Sequence, residues 1–348
     1  MLAGRCYVPH LRTKPAEITA YRTLSVEAKD LTFPVFLAKP WQNASFFSKT
    51  IEKIVEAVDN RPFAIELDKS FYISVTTRQA QIEFNNLFES LSGYQAYYDF
   101  VDNIANAIPV LVLPSTLVDI RLQLENVVRL DRGLIIHIKR DDVGSVINLE
   151  ELQPLIPNDT VFLIDAGWSR DFLTLEQWTL SKVGEVISIF PTTEVVILSS
   201  SFPDSFSDII GHKLVTMHES RLYSSIRRSF NNADFTYGDW ATTRPPQSGG
   251  GGKIPPRIDV PGIGNCNIFR AEVAANSSYL AMSQVAKLHD CFRGIPECYG
   301  RRLIEDTDGF GIGVTGTQRS TEARISVHMT LHSQAGSAGA EVEIPYED

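Results

Sequence analysis

The chain of 348 residues carries 32 Lys and Arg against 42 Asp and Glu, a formal net charge of −10, with 43% hydrophobic and 21% charged residues. Such a composition excludes wholesale disorder, and the acidic balance excludes a general nucleic-acid-binding surface. No apolar run approaches the roughly 20 residues of a membrane span, no secretory signal opens the chain, and Cys6, Cys266, Cys291 and Cys298 form no CxxC pair, so a soluble cytoplasmic protein with free thiols is expected.

Short apolar runs alternate with longer stretches of helical period, the pattern of parallel strands joined by crossover helices. The runs are 7–14, 33–39, 63–68, 109–114, 134–140, 161–165, 194–201 and 234–240. Between them lie helical candidates at 16–28, 45–58, 80–92 with 96–104, 116–129, 149–156, 175–189 and 221–230. In the second of these, Ile51, Ile54, Val55 and Val58 make one apolar stripe, while Lys49, Glu52, Lys53 and Glu56 face water. Eight strands with intervening helices predict a (β/α)8 TIM-like barrel over 1–243, and no GxGxxG turn follows the first strand to suggest a dinucleotide fold.

Residues 244–256, RPPQSGGGGKIPP, read as a proline- and glycine-rich linker loop. Beyond it, 257–348 reads as a C-terminal extension too thin in apolar residues for its own core, expected to pack on the barrel and cover its mouth. Its predicted elements are strands at 257–260 and 268–273, a helix at 279–292, a turn-rich stretch at 306–316 and a strand at 323–331.

Active sites of such barrels form at the carboxyl ends of the strands, so charges there are the main lead. Arg12, Lys14, Lys39, Glu66, Asp68, Lys139, Arg140, Asp165 and Asp239 all stand at strand ends. Strand residues two apart share a face, which groups His10 with Arg12 and Lys14, and places Asp165 and Asp239 each at the end of an apolar stripe. The expected arrangement is one mixed-sign pocket: Asp68, Asp165 and Asp239 around a Mg²⁺ or Mn²⁺ ion, with basic residues taking the oxygens of a phosphate-containing ligand. Ser201 ends the seventh run without a GxSxG elbow, and suits a ligand contact better than a nucleophile. His328 and His332 fall four apart in the segment read as a strand, which would hold them over ~12 Å apart, too far to share a metal easily.

Several short motifs recur in an order along the barrel strands: Tyr7-Val-Pro-His-Leu-Arg-Thr-Lys14 with Glu17, Asp68, Asp165, Ser201-Phe-Pro203, Glu219, Tyr237-Gly-Asp239, Arg257-Ile258, Phe269-Arg270, and Gly316 leading to His328. In these the chain resembles the phage and prophage Beta protein family, known from an exclusion locus of a satellite phage. The resemblance implies a TIM-like barrel protein of mobile elements, acting in phage defence or restraining a toxic neighbour, with no established reaction. The chain departs from it in the tail, where Glu322 and Val327-His328 stand near the family's tryptophan and paired histidines. Taken with the resemblance, Lys14, Arg140, Glu219 and His328 are the candidates for catalytic roles. Arg12, Lys39, Ser201, Tyr237 and Arg257 are the candidate ligand contacts. Two functions stay open: a defence protein working through a protein partner, either a phage component or a neighbouring toxin, and a metal-dependent phosphodiester hydrolase acting on a nucleotide or nucleic acid.

Overall fold

Eight strands lie parallel in one sheet that closes on itself in the computed structural model, which describes residues 1–142, 148–243, 254–272 and 278–337. In chain order they are β1 (Tyr7–Arg12), β2 (Val35–Ala38), β3 (Phe63–Leu67), β4 (Ala107–Pro109), β5 (Leu134–Lys139), β6 (Thr160–Trp168) and β7 (Glu194–Ser200). After β8 (Gly211–Thr216), which lies outside this sheet, β9 (Phe235–Asp239) completes it. The order is β4-β3-β2-β1-β9-β7-β6-β5, and the parallel bridge from Val110 to Ile135 joins the two ends. Each barrel strand overlaps a predicted run, but β4 begins two residues ahead of the run at 109 and β6 continues three residues beyond the run at 161–165.

Alternation along the strands sorts side chains into two cores. Val8, Val35, Ala64, Ile108, Ile135, Val161, Leu163, Val196 and Leu198 fill the barrel interior. Tyr7, Leu11, Phe36, Ile65, Ile136, Phe162, Ile197 and Tyr237 face outward beneath the helices. Amphipathic helices such as Ser48–Val58 and Leu117–Leu130 close over this outer layer, the latter behind a Thr116–Asp119 capping box.

The region after β9 is built around β10 (Arg257–Gly262) and β11 (Asn265–Arg270), which pair antiparallel. β11 also pairs with β8, a strand contributed by the loop after β7, so the small sheet spans both sides of the predicted boundary at 243. Helices Tyr279–Leu288 and Tyr299–Glu305 follow. Of the stretch read as a linker, 244–253 lies outside the described residues, as does Val273 of the second predicted tail strand.

The segment predicted as a strand at 323–331 is instead part of a long helix, Thr317–Ser337. Its apolar and polar residues alternate, but from Ser320 to Ser333 nearly every side chain is buried, so no polar face marks the helical period. It packs along helix Pro15–Arg22 and against β1, β10 and helix Tyr299–Glu305. This is the place of the barrel's eighth helix, on the outer wall beside β9 and β1. Helix Tyr299–Glu305 meets it backbone to backbone: a Cβ on Gly300 would lie 2.2 Å from the Ala323 carbonyl oxygen, and the Gly300 N–H donates to Ser326 Oγ at 3.0 Å. Buried Arg324 donates to Asp259 at 2.7 Å, tying the helix to β10.

Candidate functional site

Two polar clusters are built on opposite faces of the barrel wall. The first lies inside, at the carboxyl ends of the strands. Inward positions of β1, β3, β5 and β6 present His10, Glu66, His137, Lys139 and Asp165 toward one another. His10 Nε2 and His137 Nδ1 lie 2.8 and 2.9 Å from the same Glu66 oxygen, while His137 Nε2 is 3.2 Å from Asp165. Lys139 donates to the other Glu66 oxygen. The Gly167 N–H donates to Asp165 at 2.8 Å, and the Trp240 indole N–H at 3.4 Å. Gly167 turns the chain at φ +69°, where a Cβ would strike the Asp141 carboxylate at 2.5 Å.

Electrostatics make this cluster a charge-balanced unit. Burial alone would lower the pKa of His137 and raise that of Glu66, but their mutual attraction and hydrogen bonds outweigh it, so His137 is raised and Glu66 is held well below the ordinary carboxylate range. Asp165 is lowered despite its burial by the hydrogen bond from His137, and Lys139 is raised despite its burial by Glu66. Burial lowers His10, with Glu66 offsetting part of the effect. The two carboxylates thus favour the protonated forms of His137 and Lys139, while burial favours the neutral form of His10.

Above this unit opens a cavity of about 350 Å³ lined by Arg12, Asp68, Lys139, Asp165, Trp168 and Trp240 among others. A neighbouring one of about 280 Å³ reaches Glu66 and His137. Arg12 stacks over the Trp240 ring at 5.3 Å. The lining residues of both cavities, among the described residues, all precede position 244, and the terminal helix packs on the side wall.

The second cluster lies outside the barrel, under the terminal helix. Asp239, at an outward position of β9, accepts from the Tyr7 hydroxyl at 2.6 Å, the Tyr237 hydroxyl at 2.7 Å and the Ala241 N–H at 2.8 Å. His328 Nε2 lies 2.6 Å from its Oδ2. His332 stacks on Tyr237 with ring centroids 4.6 Å apart. Burial would raise Asp239, yet the nearby His328 holds it well below the carboxylate range, while burial and His328 push His332 down to about 3. Tyr7 and Tyr237 are raised well above the ordinary phenol by burial and then by Asp239.

Residues 7–333 match the family described as Beta protein. The chain belongs to the Beta protein family. It is also similar to "Protein beta" of Enterobacteria phage P4, at 23% identity over 206 residues, which cover 58% of this chain and 56% of that relative. The chain therefore spans little more than half the length of that relative. Among the described residues no helix is long and apolar enough to cross a membrane.

Within this Beta family protein the three acids grouped by sequence as metal ligands do not converge. Asp68 and Asp165 line the mouth, but the Phe235, Tyr237, Asp239 stripe faces outward, because Gly238 takes an inward position of β9 and Trp240, just past its end, lines the cavity. Alternation showed which residues share a face without showing which face is the interior. Glu219 follows Asp239 to the outer side, where its carboxylate accepts from the Ser201 N–H and from Ser201 Oγ at 2.9 Å; burial and then Asp239 raise its pKa. Lys14 is exposed at the start of helix Pro15–Arg22. Arg140 reaches the Trp168 carbonyl at 3.1 Å, and half-buried Lys39 lies 4.0 Å over the Phe71 ring. Arg257 belongs to the small sheet, paired with Asp259 at 2.8 Å and stacked on Phe206.

The spacing argument for His328 and His332 is overturned. Four residues apart on a helix is one turn, so their ring centroids are 4.2 Å apart. Sequence reasoning also missed His137 as the hub of the mouth. It sits two residues before Lys139 on β5, so the period-of-two rule that grouped His10 with Arg12 would have found it.

Proposed function

We propose that this Beta family protein acts in phage exclusion, and that its working surface is the barrel mouth, where it takes hold of a loop or side chain of a partner protein. The observation that supports this reading is the pairing of a rigid floor with an aromatic rim. Glu66, His137, Lys139 and Asp165 satisfy one another below, while Arg12, Trp168 and Trp240 line the cavity above. Arg and Trp are the residue types that most often dominate binding energy at protein interfaces. The partner is a phage component or the toxic product of a neighbouring gene, in line with the phage relative.

Cells carrying the parent, Trp240→Ala, Asp165→Asn or Asp239→Asn would be challenged with phage, with neighbouring gene products tested for co-purification. Loss of protection and of the complex is expected for Trp240→Ala and Asp165→Asn. Asp239→Asn, on the far side of the wall, is expected to retain both. Protection unchanged in both mouth variants would make the mouth structural and end this reading.

A second reading, a metal-dependent phosphodiester hydrolase, is favoured by one feature: ligand atoms of His10, Glu66 and His137 lie within 4.8 Å of one another. Two imidazoles with one carboxylate suit Mn²⁺ or a later transition metal better than Mg²⁺. The Lys139 ammonium on Glu66 weighs against a cation there. Turnover of a nucleotide phosphodiester that needs Mn²⁺ and disappears in His137→Ala would establish it.

A further inference from the structure

The Asp239 cluster serves neither reading, yet it has the composition of a metal site. We propose that Asp239, His328 and His332 bind a zinc ion that fastens the terminal helix to the outer wall of the barrel. One ligand atom from each lies within 4.8 Å of the others, and all three residues are buried. The two imidazoles stand one helical turn apart on the same face of one helix, the spacing by which helices commonly present two histidines to zinc. The carboxylate comes from a β-strand, so the three ligands join two elements far apart in the chain.

The surroundings fit a cation more closely than they fit the bare side chains. His332, 6% exposed, has no hydrogen-bond partner among the described residues, and His328 Nδ1 is buried without one. Leaving an imidazole nitrogen unpaired in the interior is costly, and a metal bond at His328 Nδ1 would satisfy it. Asp239 is already oriented by the Tyr7 and Tyr237 hydroxyls, the kind of outer hydrogen bonding that fixes first ligands at metal centres. Among the described residues the ion-pair partner of Asp239 is His328, with no lysine or arginine upon it. At the mouth, by contrast, Lys139 and His137 already neutralise the carboxylates. Two nitrogens and one oxygen favour zinc over magnesium or calcium and leave one position of a tetrahedron for water.

The full-length protein would be stripped with a chelator and titrated with ZnCl2 against a chromophoric zinc indicator, and separately with Co²⁺ for its visible spectrum. One equivalent of zinc per chain is expected, with the strong visible bands of four-coordinate cobalt. The melting temperature should rise by roughly 5 °C at a hundredfold excess of zinc over its dissociation constant. His332→Ala and His332→Gln should lose the zinc, the bands and the shift, while His10→Ala keeps all three. A parent chain that takes up no zinc, or that gains no stability from it, overturns the proposal whatever the variants do. So does zinc that is lost in His10→Ala and His137→Ala but retained in a folded His332 variant.

Discussion

His332 offers a sharp test of how the terminal helix is held. Its imidazole is buried against Tyr237, and burial together with His328 lowers its pKa to about 3, against an ordinary value near 6.5. Below about 6.5 the unfolded chain takes up a proton at this position and the folded chain does not. Unfolding therefore gains protons, and the contribution of His332 to stability, complete above about 6.5, drains away as pH falls toward 3. Each pH unit in this window costs about 1.36 kcal/mol, so moving from about pH 7.5 to about pH 5 removes roughly 2 kcal/mol through this residue. Replacing it by glutamine removes the titration and keeps a polar side chain of similar size. Urea unfolding of both proteins, with chelator present to keep the site metal-free, should show the parent losing roughly 2 kcal/mol more than His332→Gln between those two pH values. Glu219 titrates in the opposite sense, its raised pKa favouring the folded state in acid, but it is common to both proteins and cancels in the difference. Equal losses in parent and variant would refute the reasoning and show that His332 is open to protons in the folded state.

Glu66→Gln should cost about 3–5 kcal/mol in the same assay, because it strands Lys139 and His137 in a recessed site, whereas Arg22→Ala, which removes the exposed Arg22–Glu56 pair, should cost under about 1 kcal/mol. If the two changes cost the same, the mouth cluster is not a mutually dependent unit. Gly300→Ala forces the crossing helices apart at the Ala323 carbonyl and should destabilise by about 1–3 kcal/mol or more, while Gly294→Ala, whose Cβ meets nothing closer than 3.7 Å, should be far milder; calorimetry on the two variants tests the contact directly.

The barrel was legible because its strands are buried on both faces and therefore read as unbroken apolar runs, each bounded by charge or a turn. β8 was not, since five of its six residues are exposed and the sequence, GHKLVT, carries no run to detect. The terminal helix was misread for the opposite reason: buried on nearly all sides, it has no water-facing stripe, and its Ile325, Val327, Met329 and Leu331 alternate as in a strand. That single error separated His328 from His332. The mouth was half legible. Charge at strand ends located Arg12, Asp68 and Asp165, but Asp239 went to the wrong side because alternation carries no sign, and only the register of β9 against β1 shows that Pro9 and Asp239 share the outer face.

The wide sequence gap between the last barrel strand and the helix that covers it also sets an order of events during synthesis. Asp239 must wait for a residue 89 positions later, and at ordinary translation speeds that is roughly 5 to 20 s. Through that interval the nascent barrel has all eight strands but a bare strip along β9 and β1, with Tyr7 and Tyr237 uncovered. Closing so long a loop adds little entropy cost once the segment exists, so docking is limited by its arrival. A ribosome paused between β9 and helix Thr317–Ser337 would therefore hold an almost complete barrel with one adhesive seam, which that helix seals once it emerges.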